Sequence, residues 1–255
     1  METESEISED AILGGALRIR QPMRGHRIGH DAILLAAATA GRAGEQAVEL
    51  GCGVGAAGLA LAARVPGLRV SLVDIDRDLC ALASDNVRLN RLDDRVKVLG
   101  ADAENVGTLA AAGLAPGSVD RVLMNPPFLD ARRHNISPDP RRRLAHIGTP
   151  ELLARWVATA AWLLKPQGML TLVWRADGLD EILETLKPVF GSVAVMPVSP
   201  RIGKPAIRVL VRAEKGGNSG RKNYPAFTLN DEHGQPTAAA EAVLRFAKML
   251  NIAET

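Results

Sequence analysis

Cysteine is scarce: the 255 residues contain only Cys52 and Cys80. They form no Cys-x-x-Cys pair, and no histidine stands at a zinc-ligand spacing, which speaks against a disulfide scaffold and against a metal site. Free thiols in a reducing compartment are the expectation. Long apolar runs are also missing, since no stretch approaches the ~18 residues that a membrane span needs. Residues 1–10 are acidic and lack the apolar centre of a signal peptide. A soluble, cytoplasmic protein without a membrane partner follows as an expectation. An excess of one charge is lacking too: 31 Lys and Arg face 29 Asp and Glu, for a net charge of +2. Any nucleic-acid partner must therefore be met by a local basic face. No internal repeat or low-complexity tract is present. What is there is apolar residues, 47% of the chain, enough to bury the core of one large α/β domain.

Periodicity organises that material. Residues 17–21 alternate like a short strand, and residues 31–40 read as an apolar helix stopped by Gly41. From residue 46 onward strands and helices alternate: strands at 47–50, 69–73, 96–99 and 119–124, helices at 57–65 and 77–89. Such βαβ repetition predicts a parallel sheet with helices on both faces. A helix follows at 150–164, with Thr149 as cap and Pro150 at its first position, then a strand at 168–173. An amphipathic helix at 179–190 precedes strands at 192–196 and 207–211, whose connection is too short for a crossover helix, so they should pair antiparallel. A doubly wound, mostly parallel α/β sheet with one antiparallel edge resembles the class I methyltransferase fold and departs from the dinucleotide-binding plan. Three parts are expected: a leader with a lid helix at 1–45, the core at 46–213, and a basic extension at 214–255 packed on the core.

Glu49-Leu50-Gly51-Cys52-Gly53-Val54-Gly55 sets an acidic residue and alternating glycines between a strand and a helix. Glycine suits a place where the backbone turns sharply and a ligand comes close. Asp74 ends the next strand, where a carboxylate can accept hydrogen bonds from both ribose hydroxyls of an adenosyl ligand. That pair alone would suit NAD equally. Glu49 directly before the glycines resembles the D/E-x-G-x-G-x-G pattern of S-adenosylmethionine (SAM)-dependent methyltransferases, and Asp102 stands where that family holds the adenine amino group. Asp76 and Asp78 read as helix-start charges.

Asn125-Pro126-Pro127-Phe128 follows the strand at 119–124 and is the most specific feature of the chain. Its order and spacing after the glycines resemble amino-methyltransferases acting on adenine, guanine or glutamine amides. An exocyclic amine is a poor nucleophile because its lone pair is delocalised into the ring. The Asn125 side-chain oxygen and the Pro126 carbonyl can accept its two N–H groups and turn the lone pair toward a methyl donor. Phe128 can stack on the planar group that carries the amine. No general base is strictly needed before transfer. His134 and His146 have no identifiable partner. His30, at a helix start, reads equally as a cap and as a residue lining the SAM pocket.

The surroundings must choose the substrate. Arg132, Arg133, Arg141, Arg142 and Arg143 lie in a polar insertion at 129–147, beside the pocket mouth, where they could hold phosphates. Arg201, Lys204, Lys215, Arg221 and Lys222 form a second basic set near the edge hairpin, and the two sets together could line a groove. The run Arg27-Ile28-Gly29-His30-Asp31-Ala32-Ile33-Leu34-Leu35-Ala36, the glycine turn, the Asn-Pro-Pro motif and the tail from Lys215-Gly216-Gly217 to Arg221-Lys222 together resemble the bacterial tRNA1(Val) (adenine-37-N6)-methyltransferases over roughly residues 12–245. The resemblance implies SAM binding by Glu49, Gly51, Gly53, Asp74 and Asp102, amine recognition by Asn125, Pro126 and Phe128, and an RNA partner, most simply tRNA. The chain departs from that family at Phe128, where Tyr is commoner, and at His30, where a small hydroxyl or Gly-flanked residue is frequent. The nearest rivals are N2-guanine methylation of ribosomal RNA, whose enzymes usually carry a second related domain, and protein-glutamine methylation, whose enzymes carry a helical domain in front. A non-enzymatic adenosyl-binding or RNA-binding module is the remaining alternative; it has no need of an amine-accepting motif.

Overall fold

The computed structural model describes residues 6–24, 27–127 and 150–254. Thr149, Phe128 and the five arginines of the insertion fall outside the described residues.

The first element is a strand absent from the sequence reading. β1 (Ile7–Ile12) pairs antiparallel with β2 (Leu17–Pro22), in register from Ile7 opposite Pro22 to Ile12 opposite Leu17. β1 contains Ser8, Glu9 and Asp10 and buries no residue fully, so its composition gives no strand signal. It is held by pairing to β2, whose Leu17, Ile19 and Gln21 point inward. Helix α1 (His30–Ala38) follows, and its residues from Ile33 to Ala38 are all buried.

The core then alternates as expected: β3 (Gln46–Leu50), α2 (Ala56–Arg64), β4 (Arg69–Asp74), α3 (Arg77–Leu89), β5 (Val96–Gly100), α4 (Val106–Ala111) and β6 (Val119–Met124). α3 starts where Asp76 caps it, its carboxylate accepting from the N–H groups of Asp78 and Leu79. α4 is a short Gly/Ala-containing turn started by the Asn105 cap, too short to show a period. α5 (Pro150–Leu163) runs straight into β7 (Leu164–Arg175), four residues earlier than the apolar run suggested, because Leu164 already pairs with Val119. α6 (Leu179–Leu186) stops short of the expected 190. Pro188 has no N–H to continue it, and the chain turns into β8 (Phe190–Arg201). β9 (Arg208–Lys215) returns antiparallel to both β8 and β7. The C-terminal segment adds two short strands parallel to β8, β10 (Lys222–Asn223) and β11 (Phe227–Asn230), and helix α7 (Ala238–Phe246), capped by the Thr237 hydroxyl.

The strand order is β10-β8-β9-β7-β6-β3-β4-β5, with β11 also on β8. From β5 to β7 the sheet is parallel. One face carries Leu123, Val173 and Leu210 against α1, α2 and α7; the other carries Leu50, Met124 and Leu172 against α5 and α6. Both faces are thus covered, as a parallel sheet requires.

Candidate active site

Pairing within the sheet brings the distant motifs together. Leu50 at the end of β3 is the partner of Met124 at the end of β6, and on its other side of Val73 in β4. The residues just beyond, Gly51 and Asn125, therefore leave neighbouring strand ends about 5 Å apart. Asp74 stands at the end of β4, and Asp102 follows β5.

The glycine turn is left-handed at Gly51, Gly53 and Gly55, with φ of 66°, 54° and 87°. The three glycines are not equivalent. A Cβ on Gly51 would lie 2.3 Å from Cη2 of Trp156, whereas one on Gly53 would meet nothing within 4 Å. Gly51 is thus required by packing against α5, and Gly53 borders open space that a ligand can fill.

Acidic groups surround this space. Glu49 is buried, and its Oε2 accepts the Gly58 N–H of α2 at 2.7 Å. Burial pushes its carboxyl up to about 8; the Gly58 hydrogen bond opposes this, and the negative charge of Asp74 adds to it. Asp74 accepts the Gly53 N–H at 2.7 Å on one oxygen and the Asp76 N–H at 2.9 Å on the other. Desolvation outweighs these bonds and raises its pKa as well. Two acidic side chains thus stand at the glycine turn, where the multiple negative charges of a pyrophosphate would be repelled by Asp74. Cys52, between the glycines, is buried with its thiol pushed well above its usual value by desolvation, which leaves it protonated. Asp102 closes an Asx turn by accepting the Glu104 N–H at 2.8 Å, and its side chain stays partly exposed.

Asn125 completes the arrangement. Its Oδ1 is shielded from water and has no hydrogen-bond partner among the described residues. A buried carbonyl left unpaired costs about 1–3 kcal/mol, so the site holds an acceptor in need of a donor. Pro126 is buried behind it, and neither Pro126 nor Pro127 has an N–H to occupy that oxygen.

Other candidates are spread more widely. His30 opens α1 and is exposed, near the carboxyl end of β7 because Asp31 beside it bonds Arg208 of β9 at 3.0 Å. It lines an open cleft of about 720 Å³ with residues from Ala11 to Gly15, Leu244 and Arg245; Gly51, Gly53 and Asp74 are not in that lining. The second basic set is divided by the register. Lys204 sits in the turn between β8 and β9, beyond Arg175, on the carboxyl side of the sheet. Lys215 lies at the opposite end, where its ammonium donates to the Leu164 carbonyl. Lys222 is level with Ala194, Arg212, Thr171, Leu123 and Glu49 along the row of paired residues. Its ammonium lies 4.6 Å over the Tyr224 ring. Arg221 is exposed beside it. Lys204 and Lys215 thus lie at opposite ends of the sheet. Two site residues escaped the sequence reading. Trp156 looks like any apolar helix residue, and Arg155, which pairs with Glu104 next to the Asp102 turn, looks like a solvent charge. No group of three or more His, Cys, Asp or Glu among the described residues could hold a metal ion, and no helix there is long and apolar enough to cross a membrane.

Sheet order, covered faces, the antiparallel β9 and the carboxyl-end site define a class I methyltransferase fold. Residues 27–201 match the family described as Methyltransferase small domain, and the chain belongs to that family. A solved structure described as a predicted O-methyltransferase, protein Atu636 from Agrobacterium tumefaciens, superposes with a TM-score of 0.72 at 26% identity, covering 86% of this chain and 97% of that one. The tRNA1(Val) (adenine(37)-N6)-methyltransferase of Porphyromonas gingivalis is 29% identical over 160 residues, 61% of this chain and 61% of its own length. The release factor glutamine methyltransferase of Chlorobaculum tepidum is 30% identical over 155 residues, 58% of this chain and 52% of its own. The match thus spans less than two thirds of the length of these two methyltransferase sequences, 61% and 52%.

Proposed function

We propose that this protein transfers a methyl group from SAM to the N6 amine of an adenine in RNA, and that the RNA is tRNA, at position 37 of tRNA1(Val) by similarity to its relatives. The observation that carries this reading is the Oδ1 of Asn125 beside the glycine turn, shielded and without a hydrogen-bond partner among the described residues. Residues 46–213 hold the reaction in this reading, with 1–45 and 214–255 as flanking parts.

The residues present fit the methyl donor. Gly53 leaves room for it, Asp74 offers carboxylate oxygens for a ribose, and Asp102 has a partly exposed carboxylate for an adenine amine. Asp74 is the acidic group available to a cation, while Glu49, its carboxyl pushed up to about 8, is largely protonated near neutral pH and braces α2 through the Gly58 N–H. When bound, SAM supplies a methyl group on a positively charged sulfur. The protein's part is to present the nucleophile. Asn125 Oδ1 and the Pro126 carbonyl accept the two amine hydrogens, which directs the nitrogen lone pair at the methyl carbon. Phe128 is the candidate stacking face for a base taken out of its helix. On transfer the new N–C bond would form as the methyl–sulfur bond breaks and the neutral thioether leaves; the nitrogen would become cationic and pass its proton to solvent, so no side-chain base is required. Arg132, Arg133, Arg141, Arg142, Arg143, Lys204, Arg221 and Lys222 are the candidate phosphate contacts.

The test is nucleoside mass spectrometry of RNA from cells that lack the modification, after incubation with the protein and isotopically labelled SAM. Labelled N6-methyladenosine in the tRNA fraction is the expected result. Label in 2-methylguanosine, or in a protein glutamine and in no RNA, overturns the adenine reading. Asn125→Ala should lower transfer by ~10²-fold or more while leaving affinity for S-adenosylhomocysteine nearly intact, by analogy with the loss of a positioned polar group elsewhere.

A further inference from the structure

Helix α5 touches both loops of the proposed cofactor site through adjacent residues. Arg155 forms an ion pair with Glu104, two residues past Asp102. Trp156 presses the benzene edge of its indole on Gly51, so closely that no Cβ fits there. Trp156 is only 6% exposed, and its Nε1 is shielded and has no hydrogen-bond partner among the described residues. That unpaired N–H is a liability of about 1–3 kcal/mol that phenylalanine would not carry. Phenylalanine would lose the buried benzene edge of the indole and also this N–H, two effects of similar size, so stability alone does not single out the indole. What the indole adds is reach: the edge beyond a phenyl ring is the part in contact with Gly51.

We propose that Trp156 is a positioning residue that sets the height of the glycine turn against Asn125, and so the distance between methyl donor and amine. The inference rests on the cofactor reading above. Gly51 and Asn125 leave paired strands, β3 and β6, so the glycine turn and the amine acceptor share one frame. The backbone at Gly51 lacks a side chain of its own to fix it, and Trp156 supplies that support from below. A small displacement of a reacting group lowers the rate far more than it lowers affinity, about 10²-fold for ~1 Å.

The experiment compares the unaltered chain with Trp156→Phe, Gly51→Ala and the double variant. It measures kcat at saturating SAM, the Kd for S-adenosylhomocysteine and the urea unfolding midpoint. Trp156→Phe should shift the midpoint little, leave Kd within about threefold, and lower kcat by about tenfold or more, within the range a sub-ångström to ångström shift produces. Retracting the ring should also partly rescue kcat in the Gly51→Ala background, giving a non-additive cycle. Unchanged kcat in Trp156→Phe overturns the inference, as does equal damage by Gly51→Ala in both backgrounds. A loss confined to Kd, with kcat intact, would make Trp156 a ligand contact and also overturn it. If the unaltered chain does not bind S-adenosylhomocysteine, the cofactor reading itself fails, and this inference with it.

Discussion

The side-chain amide of Asn86, on α3, donates to the carbonyl of Val54 in the glycine turn at 3.0 Å. The same nitrogen donates to the Arg20 carbonyl at 2.9 Å, and the amide oxygen accepts the Arg20 N–H at 2.7 Å. One turn later Asn90 repeats the exchange with Arg18, its Oδ1 accepting at 2.9 Å and its Nδ2 donating at 2.7 Å. Two amides at i and i+4 thus act as a partner strand for the free edge of β2, and the fully buried one ties that hairpin to the glycine turn.

Asn86→Ala should destabilise the protein by about 1–3 kcal/mol, since it strands the buried Val54 carbonyl and the part-buried N–H and C=O of Arg20. Urea denaturation measures this, and hydrogen exchange at Arg20 should accelerate more than at residues of β4. A loss under about 1 kcal/mol would mean that water replaces the amide.

Glu49 has its folded pKa at about 8, against an ordinary value of 4.5. The folded state therefore holds this proton more tightly than the unfolded chain. Its contribution is fully present below about pH 4.5 and is lost as pH rises through about 8. Glu49→Gln, neutral throughout, should close that window: relative to the variant, the native chain loses on the order of 3–5 kcal/mol between pH 4.5 and 8.5. Unfolding midpoints at pH 5.5 and 8.5 check it. Parallel pH dependences in the two proteins would sink the assignment to Glu49.

Gly53→Ala should cost only ~1 kcal/mol of stability, because the left-handed backbone is strained but the added methyl meets nothing. Its affinity for S-adenosylhomocysteine should nevertheless fall sharply, because the methyl enters the ligand's space. Gly51→Ala should lose about 3–5 kcal/mol of stability through overlap with Trp156. Calorimetric titration and urea denaturation of both variants give the comparison; an equal stability loss would refute the division of labour between the two glycines.

Lys204→Ala should weaken RNA binding uniformly across sequences and flatten the salt dependence by about one unit of slope. Lys222→Ala should do less, since its ammonium already lies on the Tyr224 ring and its strand is four spacings, about 19 Å, from β6. Filter binding between 50 and 200 mM salt separates the two; a larger effect at Lys222 would move the RNA path to the C-terminal edge.

Much of the fold could be read before it was seen, for local reasons. β6 spans the expected residues because an apolar run ends at Asn-Pro-Pro, and α3 does because Asp76 caps it and Asn90 ends it. Elements without such signals are not legible: β1 is half polar, with Ser8, Glu9 and Asp10 in a row, α4 is too short to be periodic, and β10 and β11 exist only because β8 offers them an edge. In the site, Glu49, Asp74 and Asn125 each sit at a strand end that pattern alone locates. Trp156 does not, since nothing in a helical apolar stretch says which ring will meet a glycine more than a hundred residues earlier.

The sequence by itself determined the strands of the parallel core, where β3 and β6 end, and what chemistry stands at those ends, because periodicity, caps and turn residues act over a few neighbours. Only the tertiary structure decided the rest. The sheet sets β3 between β4 and β6, which puts Asn125 beside Gly51, and the covering of its second face lays Trp156 under the turn. Those contacts join segments far apart in the chain. They are chosen by the joint burial of both sheet faces, which no local pattern records.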